Sequence, residues 1–191
     1  MKATTVSMKR RIRETQDGEF DWISIFGAGK TIDVGSGDDP LPRADPFDKE
    51  QGDAQALSTY VPFESYDLLH SSQCLEHMMS PGLAFEEWIA VVKSGGYLVI
   101  TVPDWELYEQ GHWPSKFNPD HKSTWSLTCK STTVSDYHVY VPTWVESFEN
   151  IKILRMELID TNYNYNLRNV DQTIDPEQGV EAWIEIVAQK I

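Results

Sequence analysis

Short apolar blocks alternate with polar ones along the chain, and the blocks predict strands and helices in turn. Three apolar runs predict strands at residues 30–34, 66–71 and 97–102. Between the last two, apolar residues recur at helical spacing over residues 81–93, with Pro81 at the start and two glycines after the end. This strand–helix–strand order predicts a right-handed parallel crossover.

The C-terminal part of the chain has a different pattern. Residues 142–149 predict a short helix, and residues 151–160 and 180–191 predict two long strands. The segment between these strands, residues 162–176, is rich in turn-forming residues. Two terminal strands joined in this way predict an antiparallel pair at one edge of a mixed sheet.

The chain passes quickly from the first strand to an acidic cluster. Pro42 would interrupt a helix that starts after the glycines of residues 35–37, and Asp45 and Asp48 follow within a few residues. A full crossover needs about a dozen residues. We therefore expect a first helix of about one turn. A third strand between Asp48 and Asp53 would be rudimentary, so the sheet should be trimmed on this side.

With 191 residues and no repeat or linker, the chain is expected to form one domain over residues 1–191. Residues 1–28 are expected to be an N-terminal cap segment, whose apolar patch near Trp22 covers an edge of the sheet. Its basic residues are interpreted as a solvated terminus, or as a contact with an acidic surface. Residues 103–141 are expected to be a loop insertion over the functional site. The sequence indicates no oligomeric state.

The net charge of −14 argues against nucleic acid as the main partner, because such binding depends on neutralising phosphates. No apolar run approaches the roughly 20 residues that span a bilayer, so no membrane partner is expected, and no signal peptide is predicted. Cys74 and Cys129 have no metal-binding spacing and indicate a reducing compartment. We therefore expect a cytoplasmic protein without a metal.

The most informative stretch is residues 31–39, Thr-Ile-Asp-Val-Gly-Ser-Gly-Asp-Asp. An apolar strand leads into a turn with glycines two apart, and open α/β sheets bind ligands just outside the carboxyl ends of their strands. Three further motifs follow in order: Gly52-Asp53-Ala54, Leu75-Glu76-His77 and Lys93-Ser94-Gly95-Gly96.

In this order and spacing the four motifs resemble the class I S-adenosylmethionine-dependent methyltransferases, in the branch of methyltransferase domain 11. The resemblance covers residues 30–125 well and the tail more loosely. It implies an α/β fold with a Rossmann-like mixed sheet, mostly parallel with an antiparallel C-terminal pair, helices on both faces and a shortened first crossover. It also implies S-adenosylmethionine as cofactor and methyl transfer to an oxygen or nitrogen of a small molecule or sugar-containing metabolite.

Two other classes of function are weighed against this one. A non-catalytic regulatory or scaffolding protein of the same fold is the main alternative, because the sheet is trimmed and Asp39 stands where the family has a third glycine. A nicotinamide-dependent oxidoreductase would need Gly-x-Gly-x-x-Gly opening a full helix, and Pro40 stands at the last glycine position.

The resemblance implies a set of cofactor contacts. Asp48, or alternatively Asp45, would accept both ribose hydroxyls, and Asp53 would accept from the adenine amino group. Asp33 would order the glycine turn or bind the cofactor amine, unless it is only a cap for that turn. The full cofactor-binding set is Asp33, Gly35, Ser36, Gly37, Asp48, Asp53, Ala54, Ser71, Ser72 and Leu75.

The long aromatic loop after the 97–102 strand leaves the carboxyl end of the sheet, so we expect it to cover the methyl group. An oxygen acceptor usually needs a base, and imidazole titrates near neutrality. His121 is the first candidate base and His112 the second, while Asp104 would orient the histidine or bind the acceptor. Alternatively, the segment around His121 only stabilises the loop, and no base exists.

Overall fold

The computed structural model describes residues 29–135, 137–175 and 178–191. The N-terminal cap predicted over residues 1–28 lies outside the described residues. The strands are β1 (Thr31–Val34), β2 (Asp45–Phe47), β3 (Tyr66–Ser72), β4 (Val92–Pro103), β5 (Thr124–Ser126), β6 (His138–Tyr140), β7 (Ile151–Ile159) and β8 (Trp183–Lys190). The α-helices are α1 (Pro81–Val91) and α2 (Val141–Val145), and Ala54–Thr59 and Leu75–His77 form 3₁₀ helices.

The main sheet has six strands in the order β2-β1-β3-β4-β8-β7. The first four strands pair in parallel, whereas β8 runs antiparallel to both β4 and β7. The predicted mixed sheet with an antiparallel C-terminal pair is therefore confirmed. A second, small sheet pairs β5 with β6 in parallel, within the predicted loop insertion.

The sheet is trimmed on the side of β2, as predicted. Residues 35–44 form turns without the single helical turn that we expected, because Pro40 and Pro42 interrupt the helical backbone. Among the described residues no strand lies between β2 and the 3₁₀ helix that begins at Ala54. The short strand β2 is therefore an edge of the described sheet.

Strand β4 differs most from its prediction, since it begins at Val92 rather than at residue 97. Val92 pairs with Tyr66 of β3, and a register irregularity separates this pair from Leu68–Tyr97. Helix α1 accordingly ends at Val91. A Cβ on Gly96 would lie 2.9 Å from the carbonyl oxygen of Asp67, so glycine permits this close pairing.

Strand β7 matches its prediction closely, but α2 and β8 are shorter than predicted. Helix α2 ends at Val145, and β8 begins at Trp183 rather than at residue 180. The residues before Trp183 bond to loops instead of to a strand. The amide of Glu181 donates to the carbonyl of Thr161 (2.9 Å), and the carbonyl of Ala182 accepts from the amide of Asp104 (3.0 Å).

The main hydrophobic core lies between one face of the sheet and α1. The predicted apolar stripe of α1, Ala84, Phe85, Trp88 and Ile89, is fully buried there. The indole Nε1 of Trp88 also donates to the carbonyl of Ala54 (2.8 Å), which anchors the 3₁₀ helix Ala54–Thr59 to α1.

The opposite face of the sheet carries a smaller core. Leu68, Val99 and Val187 pack there against Leu41 from the β1–β2 connection. Helices predicted for this face are not among the described residues. Within the described ranges, no helix has the length and apolar character needed to cross a membrane.

Candidate active site

A cavity of 1410 Å³ opens at the carboxyl ends of the parallel strands. Its walls come from the glycine turn after β1, the residues after β2 and β3, the loop after β4 and the β7–β8 connection. Pockets for a single small molecule usually measure about 300–1,000 Å³. The cavity therefore has room for two ligands side by side.

The glycine turn brings main chain to the cavity wall. Gly35 and Gly37 both line the cavity and have φ of +74° and +57°. A Cβ on Gly35 would lie 2.5 Å from the Cβ of Cys74, so this turn packs directly on the residues after β3. A ligand at this end meets backbone groups rather than side chains.

Asp48 and Asp45, the two alternatives for the ribose acid, lie at opposite ends of β2. Asp48 follows the strand, lines the cavity and accepts a hydrogen bond from the amide of Gly37 (2.6 Å). Asp45 begins the strand, accepts from the hydroxyl of Tyr66 (2.9 Å) and lies 3.4 Å from the Nζ of Lys30. Of the two, only Asp48 lines the cavity.

Asp53 and Ala54 also line the cavity. Asp53 is the N-cap of the 3₁₀ helix, where its carboxylate accepts from the amide of Gln55 (2.9 Å). The aromatic residue Tyr60 also lines the cavity, although nothing in the sequence singled it out. A Cβ on Gly52 would lie 2.7 Å from the Tyr60 ring, so the glycine before Asp53 makes room for this ring.

The other predicted cofactor residues lie behind the cavity wall. Asp33 is buried, and its Oδ1 lies 2.6 Å from His70 Nδ1. Its Oδ2 accepts a hydrogen bond from the amide of Leu41 (2.8 Å), which holds the β1–β2 connection in place. The hydroxyl of Ser71 donates to the carbonyl of Val34 (2.8 Å). Ser36, Ser72 and Leu75 are also buried and outside the lining. A direct role for these five residues stays a prediction.

At the other end of the cavity, His121 lies among carboxylates. Its Nδ1 is 2.6 Å from Glu109 Oε1, and its Nε2 is 3.8 Å from Glu76 Oε1. The same Glu76 oxygen is 3.7 Å from Nε2 of His77. Glu76, Glu109 and His121 are all buried, so water does little to screen the electrostatic interactions among these side chains.

The loop after β4 is tied to this cluster through its main chain. The amide of Lys122 donates to the carbonyl of Glu76 (2.7 Å), and the carbonyl of Asp120 lies 3.3 Å from His77 Nδ1. The ring of Tyr108 packs 5.4 Å from that of His121. Burial raises the pKa of the Tyr108 hydroxyl, with nearby carboxylates adding to the effect, so this group stays a proton donor.

The structure keeps Asp104 and His112 away from the cavity. His112 is exposed, and its Nε2 lies 3.1 Å from the side-chain oxygen of Asn169. Asp104 is buried, and its carboxylate accepts from the amides of Glu106 (2.9 Å) and Leu107 (3.0 Å). Neither residue lines the cavity, so we do not keep them as catalytic candidates.

Sequence reasoning also missed the positions of Glu76 and Glu109. Glu76 stood in a recognised motif, yet nothing in the motif indicates that its carboxylate faces His121. Glu109 carried no signal at all, because its pairing with His121 depends on the path of the loop.

Asp104 should make the stability of the protein depend on pH. Burial raises its pKa from 3.8 to about 7, with the charge of Glu106 adding to the effect. The folded state then holds a proton that the unfolded chain releases. Between about pH 4 and 7 the free energy of unfolding should therefore fall with rising pH, by at most about 1.4 kcal/mol per pH unit from this group.

Urea unfolding of the wild type and Asp104→Asn, measured at intervals from pH 4 to 8, checks this expectation. The amide oxygen of asparagine can still accept from the Glu106 and Leu107 amides but does not titrate. The free energy of unfolding should fall less steeply with pH in Asp104→Asn than in the wild type. Parallel pH curves for the two proteins would contradict the raised pKa of Asp104.

Three comparisons with known proteins bear on this site. Residues 33–100 match a family model described as "Methyltransferase domain". The match runs from β1 into β4, so it includes the glycine turn, Asp48, Asp53 and the Glu76–His77 pair, and ends before the loop with Glu109 and His121. No curated protein matches the chain significantly.

Several solved structures share the fold at low sequence identity. They include the Haloferax volcanii Trm112 methyltransferase activator in complex with a candidate methyltransferase (TM-score 0.58, 12% identity, 98% of this chain and 93% of that one). An S-adenosylmethionine-dependent methyltransferase from Archaeoglobus fulgidus has a TM-score of 0.53 at 16% identity, over 97% and 94% of the two chains. A candidate methyltransferase from Listeria monocytogenes has a TM-score of 0.52 at 14% identity, and the match covers 99% of each chain.

Proposed function

We propose that the protein is a class I S-adenosylmethionine-dependent methyltransferase, which transfers the methyl group of its cofactor to an oxygen or nitrogen of a small molecule or sugar-containing metabolite. The observation that carries the proposal is the cavity itself. It joins a glycine- and carboxylate-lined end to an end with two histidines, in a volume sufficient for two ligands. We further propose a cytoplasmic location, in keeping with two cysteines that form no disulfide.

The end near β1 and β2 fits S-adenosylmethionine by its chemistry. When bound, the cofactor supplies a methyl group on a positively charged sulfonium. Asp48 has acceptor atoms for a ribose diol, and Asp53 can accept from the adenine amine. Gly35 and Gly37 have no Cβ to obstruct the ligand, and the ring of Tyr60 offers a surface on which the base can stack.

The other end fits the acceptor. Methyl transfer depends mainly on holding the nucleophile in line and excluding water, for which the walls built by the loop after β4 are suited. An acceptor hydroxyl must also lose its proton. His121 Nε2 and the Glu76 carboxylate are the basic groups at this end, and Tyr108 can donate a hydrogen bond to the acceptor.

Calorimetry and a coupled screen test the proposal. The protein is titrated with S-adenosylmethionine, with its demethylated product S-adenosylhomocysteine, and with NAD as a matched control nucleotide. It is then incubated with S-adenosylmethionine and a library of hydroxyl and amine compounds, and product nucleoside is measured. We expect binding of the first two ligands, none of NAD, and turnover with a subset of the library.

The outcomes separate the classes of function. Absence of heat with both adenosyl ligands would remove the methyltransferase proposal, and heat with NAD alone would favour an oxidoreductase. Binding without turnover on any compound would favour the non-catalytic regulatory or scaffolding alternative.

A further inference from the structure

The acceptor end of the cavity brings together one carboxylate and two imidazoles from distant parts of the chain. One ligand atom each of Glu76, His77 and His121 lies within 4.8 Å of the other two. Glu76 and His121 are buried and His77 is half-buried, and all three line the cavity. No metal was expected from the sequence, where only the spacing of the two cysteines was considered.

Each histidine is oriented through its Nδ1. His121 Nδ1 lies 2.6 Å from the Glu109 carboxylate, and His77 Nδ1 lies 3.3 Å from the carbonyl oxygen of Asp120. Both partners are hydrogen-bond acceptors, so Nδ1 donates to them and Nε2 is the ring nitrogen that can bind a metal. Both Nε2 atoms face the same oxygen of Glu76, at 3.7 and 3.8 Å. Metal-binding histidines are held in this way, by an acceptor at the other ring nitrogen.

We propose that Glu76, His77 and His121 bind a divalent transition-metal ion at the acceptor end of the cavity. Two imidazoles and a carboxylate suit Zn²⁺, Fe²⁺ and related ions, and leave coordination positions open toward the cavity. Atoms that share such an ion at about 2.0–2.2 Å lie roughly 3–3.5 Å apart. The two Glu76–imidazole spacings, 3.7 and 3.8 Å, need to close by only a few tenths of an ångström, and the ligand atoms of the two imidazoles lie within 4.8 Å of each other.

The charge of the cavity favours a cation. Its described lining holds seven carboxylates and two lysines. The Nζ of one of the lysines, Lys122, lies 3.7 Å from the Asp120 carboxylate. A concave wall of one charge sign concentrates ions of the opposite sign. The carboxylates of the lining are Asp38, Asp39, Asp48, Asp53, Glu76, Asp120 and Asp171.

The inference rests on the proposed function for the role of the metal, although not for its binding. An ion held here would coordinate the acceptor oxygen and lower the pKa of its hydroxyl, so that the proton leaves to solvent before methyl transfer. Glu109 would then be a positioning residue, which acts on the metal through His121.

Titration of the full chain with Co²⁺ tests the site. Protein treated with a chelator and dialysed is followed by calorimetry and by the visible absorption of Co²⁺, and Zn²⁺ is added as a competitor. We expect one equivalent to bind and Zn²⁺ to displace it. His77→Ala and His121→Ala should each weaken binding by at least about tenfold, and Glu109→Gln by about ten- to a hundredfold.

His112→Ala is the matched control, because His112 lies on the same loop but is exposed and outside the cluster. It should bind Co²⁺ like the wild type. Wild-type protein that fails to bind Co²⁺ one-to-one would overturn the inference, whether or not the variants fold. Unchanged binding by folded His77→Ala and His121→Ala would overturn it as well.

Cofactor affinity, measured on the same metal-free protein, separates this inference from the proposed function. Adenosyl ligands that bind, with methyl transfer at full rate in the presence of chelator, would reject the role of the metal in the reaction and leave the methyltransferase proposal standing. Protein that binds Co²⁺ but has no affinity for either adenosyl ligand would support the metal site and reject the methyltransferase proposal.

Discussion

Replacing His121 with alanine should lower the methyl-transfer rate by at least about a hundredfold while cofactor affinity stays within about twofold. The residue lines the end of the cavity proposed for the acceptor, where its Nε2 would take the acceptor proton or bind the proposed metal. Asp48 and Asp53, the carboxylates proposed to bind the cofactor, line the other end. Product nucleoside formed with an acceptor from the screen measures the rate, and calorimetry measures the affinity.

Two further variants separate chemistry from loop support. His121→Asn keeps an N–H near the position of Nδ1 and can still bond to Glu109, but it has no atom at Nε2. His121→Gln extends to the Nε2 position but gives up the bond to Glu109. If His121→Asn transfers methyl groups at the wild-type rate, His121 only stabilises the loop. If His121→Ala, His121→Asn and His121→Gln all lose the rate, and His121→Asn keeps the wild-type melting temperature, then His121 takes part in the reaction.

Asp48→Asn should weaken S-adenosylmethionine binding by about a hundredfold. A hydrogen bond to a charged group contributes about 1.5–3 kcal/mol, which corresponds to roughly ten- to a hundredfold or slightly more in affinity. In the wild type, Oδ2 of Asp48 accepts from the Gly37 amide (2.6 Å) and Oδ1 from the Lys49 amide (2.7 Å). The substitution removes the charge and its single amide oxygen keeps one of these bonds, so the melting temperature of the variant is measured to check that the turn holds. Calorimetry with S-adenosylhomocysteine as a second ligand avoids any contribution from turnover.

Asp45→Asn is the control for this prediction, because it removes a carboxylate from the same short strand but outside the cavity. Its neighbours are Tyr66 and Lys30, so cofactor affinity should change little. An equal loss in both variants, or a larger loss for Asp45→Asn, would contradict the assignment of Asp48 to the ribose.

The residues that line the end of the cavity proposed for the cofactor could be predicted in part from the sequence. Strands β1 and β3 and helix α1 follow from local apolar patterns, because periodicity reflects which face of an element is buried. Once those elements are parallel neighbours, their carboxyl ends must meet at one edge of the sheet. Gly35, Gly37 and Asp48 follow those ends directly, so their arrival at the same cavity needs no information about distant parts of the chain.

The start of β4 could not be predicted in this way. A local pattern indicates a strand only from residue 97, whereas Val92 joins the sheet because Tyr66 is available across a register irregularity. Pairing partners are chosen over a long sequence separation, and only the folded chain reveals them. The same limit applied to Asp33, whose chemistry suggested a cofactor contact and whose surroundings make it a bridge between Leu41 and His70.

By itself, the sequence determined the parallel sheet, its trimmed edge and the carboxylates at the end proposed for the cofactor, because each of these follows from short-range spacing. The tertiary structure alone decided which residues line the end proposed for the acceptor. The sequence ranked His121 before His112 as the base and gave Asp104 an orienting role, whereas the loop path places only His121 in the cavity wall. That path is set by contacts such as the hydrogen bond from the Lys122 amide to the Glu76 carbonyl. Such contacts join segments far apart in sequence, so no local pattern of apolar and polar residues indicates them.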